Sequence, residues 1–218
     1  MRRNSGQQFD AAFTLIELIV AIAVVALVTM VAIPLVTRHF RRPYSGINCI
    51  NNLKQIGLSF RLFANDNSDK FPMEVSTNAG GTLEYVATSN VFRHFQNLSN
   101  ELSTPKVLIC PLDRSRAWAT NFSSDFNNSK LSYFVGVDAR LTNAAMILSG
   151  DRNIANGISP KHGMLLLTTN QRISWTKKLH VNCGNICFAD ARVQAVSNST
   201  LRQLVRNTGV ATNRLAIP

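Results

Sequence analysis

The chain has 218 residues, 45% of them hydrophobic and 16% charged, and a formal net charge of +11. That length accommodates one domain of ordinary size with added segments and a sizeable core, and excludes an array of several full-size domains. The positive charge draws nucleic acid, anionic lipid or acidic polysaccharide through one long-range field, so by itself it selects no partner.

Residues 1–12 (MRRNSGQQFDAA) are polar and basic, and residues 13–36 are apolar with Glu17 as their one charged side chain. About 20 helical residues cover the hydrocarbon thickness, so this run is long enough to span a bilayer. A cleaved secretory signal fits less well, because its apolar region is about 7 to 15 residues. An acid near the centre of a span costs about 2.5 to 3.5 kcal/mol and less near its edge, so Glu17 calls for a partner. Arg2 and Arg3 favour a cytoplasmic N-terminus, whereas Arg38, Arg41 and Arg42 argue the reverse. Long following domains translocate largely regardless of charge, and the N-terminus is placed inside.

After Pro43 and Gly46, the residues Ile47, Ile50, Leu53, Ile56, Phe60 and Phe63 recur at steps of three and four. They predict an amphipathic helix that stops at 65–69, with Pro72 beyond. Continuous with the apolar span, it would make a stalk about 75 Å long at about 1.5 Å per residue; broken at 42–46, it would be a second helix. A further helix is expected over 90–102, lined by Val91, Phe95, Leu98 and Leu102 and capped by Ser89. Short apolar runs at 107–110, 132–137, 146–148, 164–168, 186–189 and 193–196 predict strands, and Leu201, Leu204 and Val205 predict a closing helix. The fold class is α+β, a long N-terminal helix against a mainly antiparallel sheet.

The signatures of hydrolysis, metal catalysis and nucleotide binding are absent: no G-x-S-x-G, H-E-x-x-H, G-x-x-x-x-G-K-[ST] or C-x-x-C occurs, so no enzyme is expected. Asp66, Asn67 and Asp69 offer oxygens of the kind calcium takes, but a polar helix terminator accounts for the same residues, and no cofactor or metal is expected. Cys49 and Cys110 pair most naturally if the compartment is oxidising, fastening helix to sheet; reduced, buried thiols are the alternative. Cys183 and Cys187 flank Gly184-Asn185, which could turn the chain; in a straight strand they are about 13 Å apart and cannot bridge. His180 and Asp190 are expected to form a hydrogen-bonded structural pair. Arg202, Arg206 and Arg214 form a loose basic group without interleaved aromatic side chains, so a generic basic surface is expected rather than a nucleic-acid site.

The segment Phe13-Thr14-Leu15-Ile16-Glu17, behind a basic leader and opening an apolar helix, resembles the cleavage and methylation segment of type IV prepilins and type II secretion pseudopilins. The resemblance implies that a prepilin peptidase cuts between Ala12 and Phe13, and that the new amine of Phe13 is methylated. It also implies that Glu17 pairs with the amine of a neighbouring subunit. Pro34 stands where many members carry a helix-distorting proline. Ala12 replaces the Gly that the family carries before the cut. Further on, Cys49-Ile-Asn-Asn-Leu-Lys-Gln-Ile-Gly57, then Ile109-Cys110-Pro111 with Asp113, then His180 and Asp190, resemble the large pseudopilin group with a C-terminal H-x9-DG signature. The final Gly of that signature is Ala191 here, which makes a turn with positive φ less comfortable.

A chain of this family would have a pilin-like α+β fold divided into a leader (1–12), a transmembrane helix (13–36), an amphipathic helix continuing the stalk (37–70) and an extracytoplasmic domain (71–218). The function implied by the resemblance is that of a non-enzymatic pseudopilin of a type II secretion-like apparatus, held in the bacterial inner membrane and assembled into a short filament that drives export. Some type II secretion pseudopilins hold calcium in a loop of the globular domain. The implied partners are the prepilin peptidase, other pseudopilin subunits, the inner-membrane assembly platform, the secreted cargo and the lipid bilayer. A type IV or competence pilin that binds DNA or surfaces, and a membrane-anchored protein that never assembles, are the alternatives.

Overall fold

The structure, a computed structural model, describes residues 14–40 and 44–218, and for 34–40, 44 and 45 the backbone alone. The chain divides into two compact units, Met1–Tyr44 and Ser45–Pro218.

In the first unit, α1 (Leu15–Phe40) continues through Pro34. Its stretch Leu15–Ile33 is long and apolar enough to cross a membrane, with a mean hydropathy of 2.9 and no part buried. A helix apolar on every side has no face suited to water and needs a non-aqueous surrounding. The start of α1 is set locally. Thr14 donates to Glu17 Oε2 from its backbone N (3.0 Å) and its hydroxyl (2.8 Å), and the Glu17 N donates back to Thr14 Oγ1 (3.4 Å). This reciprocal T-x-x-E box satisfies donors that a helix start leaves free.

The second unit opens with α2 (Tyr44–Asp66). Whether α2 continues α1 as a stalk turns on residues 41–43, which lie outside the described residues. The buried face of α2 is Cys49, Leu53, Ile56, Phe60, Phe63 and Ala64, while Ile47, Leu58 and Leu62 are exposed. Cys49 therefore takes the place that the spacing assigns to Ile47. The helix closes through its own polar residues, Asn67 Nδ2 donating to Phe63 O (2.8 Å) and the Asp69 N to Ala64 O (2.9 Å).

Two short helices come after it, α3 (Phe92–Asn97) and α4 (Ser99–Leu102). The single helix expected over 90–102 is thus divided at Leu98, whose ψ of 20° leaves the helical region. Ser89 does not cap it; the Phe92 N–H is taken by Asn128 Oδ1 (3.0 Å), a partner distant in sequence. The strand expected over 107–110 is a 3-10 turn, Pro105–Leu108. Pro105 presets its first φ, and Thr104 Oγ1 accepts from the Lys106 N, two start signals that outweigh the β-formers.

Eight strands come next: β1 (Tyr133–Gly136), β2 (Ile147–Asp151), β3 (Ile154–Ala155), β4 (Met164–Thr168), β5 (Ser174–Trp175), β6 (Cys183–Phe188), β7 (Val193–Ser197) and β8 (Thr212–Ala216), with α5 (Asn198–Asn207) between the last two. Six form one antiparallel sheet in the order β4-β8-β1-β2-β6-β7, and β3 pairs with β5. Both faces of the sheet are covered. Tyr133, Val135, Leu148 and Cys187 join the α2 side, whereas Phe134, Ile147, Ile186 and Phe188 join Trp175, Leu201 and Val205 on the other. Central strands buried on both faces read as unbroken apolar runs, which is the texture the sequence shows. Close packing sets positions on each face. A Cβ at Gly57 would come within 2.6 Å of Cys187 Sγ, and one at Gly184 within 2.5 Å of the Trp175 ring.

The β6–β7 hairpin is kept despite Ala191, which adopts φ 64°. An L-residue there carries about 1 to 2 kcal/mol of strain, part of which Gly returns as chain entropy. Ala191→Gly should therefore raise unfolding stability by up to about 1 kcal/mol. Urea denaturation of the two chains measures the difference, and a destabilised variant would contradict this account.

Candidate functional site

One site belongs to each unit. In the first, Glu17 stands in the opening turn of α1. Its one resolved partner residue among the described residues is Thr14. Ala12 and Phe13, the expected cleavage and methylation positions, lie outside the described residues, and Pro34 lies within α1 where the backbone alone is described.

In the second unit, four segments converge beneath α2. Cys49 comes from the first turns of α2, Cys110 from the loop after the 3-10 turn, Asp151 from the end of β2, and His180 from the approach to β6, where it bridges to Cys183. The donor atoms of Cys49, Cys110 and His180 lie within 4.8 Å of one another, and all three residues are buried. Cys110 Sγ is 3.6 Å from His180 Nε2, which is in turn 3.4 Å from Asp151 Oδ2. Both Cys49 and Cys110 are free thiols, so the structure brings together the two sulfurs expected to pair without joining them.

The surroundings hold these groups in place. Asp151 Oδ2 accepts from the Asn185 backbone N (2.6 Å) and Nδ2 (2.8 Å), while its buried Oδ1 has no hydrogen-bond partner among the described residues. Asn153 Nδ2 donates to the carbonyls of Thr176 (3.0 Å), His180 (3.4 Å) and Cys183 (3.1 Å), fixing the His180 loop. Asn52, from the motif that begins at Cys49, donates to Ile109 O (3.0 Å) and Tyr133 Oη (3.4 Å). That motif therefore ties α2 to the Cys110 loop and to β1.

Beside the cluster, Asp113 is 3% exposed and receives Arg152 through Nε (2.7 Å) and Nη2 (2.8 Å), together with Ser132 Oγ (2.9 Å).

Burial and mutual charge shift these groups. The hydrogen bond with Cys49, then burial, holds the Cys110 thiol well above its ordinary value. Burial pushes the Asp151 carboxyl up to about 6 against the pull of His180 and Asn185. For His180, burial disfavours the cation, but the Cys110 hydrogen bond and the Asp151 charge outweigh it and the pKa rises. Two thiols and an imidazole in a dry space, with a carboxyl beside the imidazole, form a set able to hold a soft cation.

His180 and Asp190 do not form the pair expected of them. His180 faces Cys110 and Asp151, whereas the Asp190 carboxylate accepts from the Arg192 N (2.9 Å), within its own turn. Cys183 and Cys187 lie along one strand, Cys183 exposed and Cys187 buried, and Gly184-Asn185 continues that strand instead of turning it. Arg214 is engaged by Asp138 (2.6 Å), and Arg202 Nε donates to Thr169 O (3.2 Å), so two members of the C-terminal basic group have partners within the unit while staying exposed.

Sequence reasoning missed Asp151, Asn153 and Asn185. An acid three residues beyond the apolar run 146–148 was the available signal, but a register shift between Ile147 and Ser149 defeats face assignment by simple alternation. Compared with protein-family models, with curated proteins and with solved structures, the chain finds no match.

Proposed function

We propose that this chain is a pilin-like subunit, a type II secretion pseudopilin or close relative, cut between Ala12 and Phe13 and assembled into a filament through α1. In this reading the N-terminus is cytoplasmic, α1 anchors the subunit in the bacterial inner membrane, and Ser45–Pro218 is the extracytoplasmic unit of a pilin-like fold. The observation that carries it is a helix apolar on every side with one acid in its first turn. Such a helix is relieved by packing against copies of itself, and the acid by an amine from the next subunit.

A second reading has its own support. The Thr14–Glu17 box gives the carboxylate a partner within its own helix, as a plain anchor would need. Glu17→Gln separates the two, since Gln also serves in a capping box but carries no charge. The variant should insert and be processed normally, while filament incorporation, read by cross-linking in membranes, falls about a hundredfold or more, the factor for about 3 kcal/mol of lost pairing. N-terminal sequencing of the membrane-extracted chain should begin at Phe13. Normal incorporation together with an intact Met1 would leave the plain anchor.

A further inference from the structure

We propose that Cys49, Cys110 and His180 hold a structural zinc ion that fastens α2 to the sheet, with the Asp151 carboxylate beside His180 as the group that closes the shell on metal binding. This goes beyond the filament reading and does not depend on it.

The distances fit. Zinc–sulfur bonds of about 2.3 Å and zinc–nitrogen bonds of about 2.0 to 2.1 Å place tetrahedral neighbours about 3.6 Å apart when one is sulfur and the other nitrogen. Cys110 Sγ and His180 Nε2 stand 3.6 Å apart. A nitrogen and a carboxylate oxygen on the same ion lie about 3.4 Å apart, the observed separation of His180 Nε2 and Asp151 Oδ2 being 3.4 Å. Cys49 Sγ is within 4.8 Å of both Cys110 Sγ and His180 Nε2, so a movement of at most about 1 Å completes the sulfur pair.

The donor chemistry selects the ion. Two thiolates and an imidazole suit zinc, whereas calcium and magnesium take oxygen. The three grouped donors are all buried, and the nearest further ligand is the enclosed Asp151 carboxylate rather than an open position, which suits a structural centre. The outer partners are also in place: Asn185 orients the Asp151 carboxylate, and Asn153 holds the His180 loop by its carbonyl. A Cys49–Cys110 disulfide is the competing use of the same sulfurs. It would leave the enclosed Asp151 carboxylate with a neutral bridge and His180 as its neighbours, whereas a cation beside His180 answers the carboxylate charge.

The test uses the full-length chain without a polyhistidine tag, extracted in detergent from cells grown with zinc. Elemental analysis should find one zinc per chain, and alkylation with mass spectrometry should find Cys49 and Cys110 unpaired once the metal is removed. Cys110→Ser and His180→Gln should each weaken zinc binding at least about tenfold, while Cys183→Ser leaves it unchanged. Cobalt exchanged into the unmodified chain should give the absorption of a tetrahedral cobalt–thiolate centre, a readout that stands even where a variant fails to fold. A Cys49–Cys110 disulfide in the isolated chain, failure to retain zinc or cobalt, or a cobalt spectrum without thiolate bands would each overturn the proposal.

Discussion

Asp113→Ala should destabilise the second unit by about 3 to 5 kcal/mol, because it strips the counter-charge from a guanidinium that is itself nearly enclosed. Arg152 makes two short bonds to Asp113, and the two side chains are 12% and 1% exposed. Arg116 stands close enough to feel the charge of both, so the variant leaves two cations facing each other. Asp113→Asn keeps the shape and removes the charge, which makes it the better probe of pH dependence. Burial alone would raise the Asp113 pKa, but Arg152, Ser115 and Ser132 overcome it and hold the carboxyl below the ordinary 3.8. A depressed acid stabilises the fold above its unfolded value, and that contribution is lost as pH falls through the folded value. The stability difference between the unmodified chain and Asp113→Asn should therefore be full above about pH 4 and shrink below it. Denaturant titrations across that range measure it, and a difference that stays constant into acid would contradict the ion-pair account.

Phe60→Ala should cost about 3 to 5 kcal/mol, the range for removing a fully enclosed aromatic ring. Phe60 is 0% exposed and meets Phe71 edge-on at 6.1 Å and Phe95 at 6.2 Å. Such contacts add about 0.5 to 1.5 kcal/mol beyond area burial, and here they join α2 to α3 and to the segment after α2. Leu62 on the same helix is 56% exposed, so Leu62→Ala should change the stability of the isolated subunit by less than about 0.5 kcal/mol. Chemical denaturation of the full chain in detergent should show a lower midpoint for Phe60→Ala with an unchanged slope. Equal effects at the two positions would mean that α2 is not seated by this face.

These two sites differ in how far the sequence announces them. Phe60 belongs to a stripe with helical spacing, and periodicity alone accounts for its burial. Asp113 is one acid in a loop, and its partner Arg152 lies across the unit at the end of β2. The zinc proposal has the same character. Cys49, Cys110 and His180 are legible as candidates, but local patterns put Cys110 at the end of a strand and pair His180 with Asp190. What brings them together is β2, which carries Asp151 to the sheet end reached by β6.

The sequence by itself determined the apolar helix with its lone acid, the amphipathic helix after it, the α+β class and most strands of the antiparallel sheet. These rest on local regularities: a long uncharged run, a repeat of three and four residues, and short apolar runs between turn formers. Tertiary structure alone decided that Cys49 rather than Ile47 faces inward, that Asn128 caps α3, and that His180 turns to Asp151 and Cys110. Each of these depends on which distant segment fills a buried space and satisfies a buried polar atom, a condition set by packing across the sheet that no local pattern encodes.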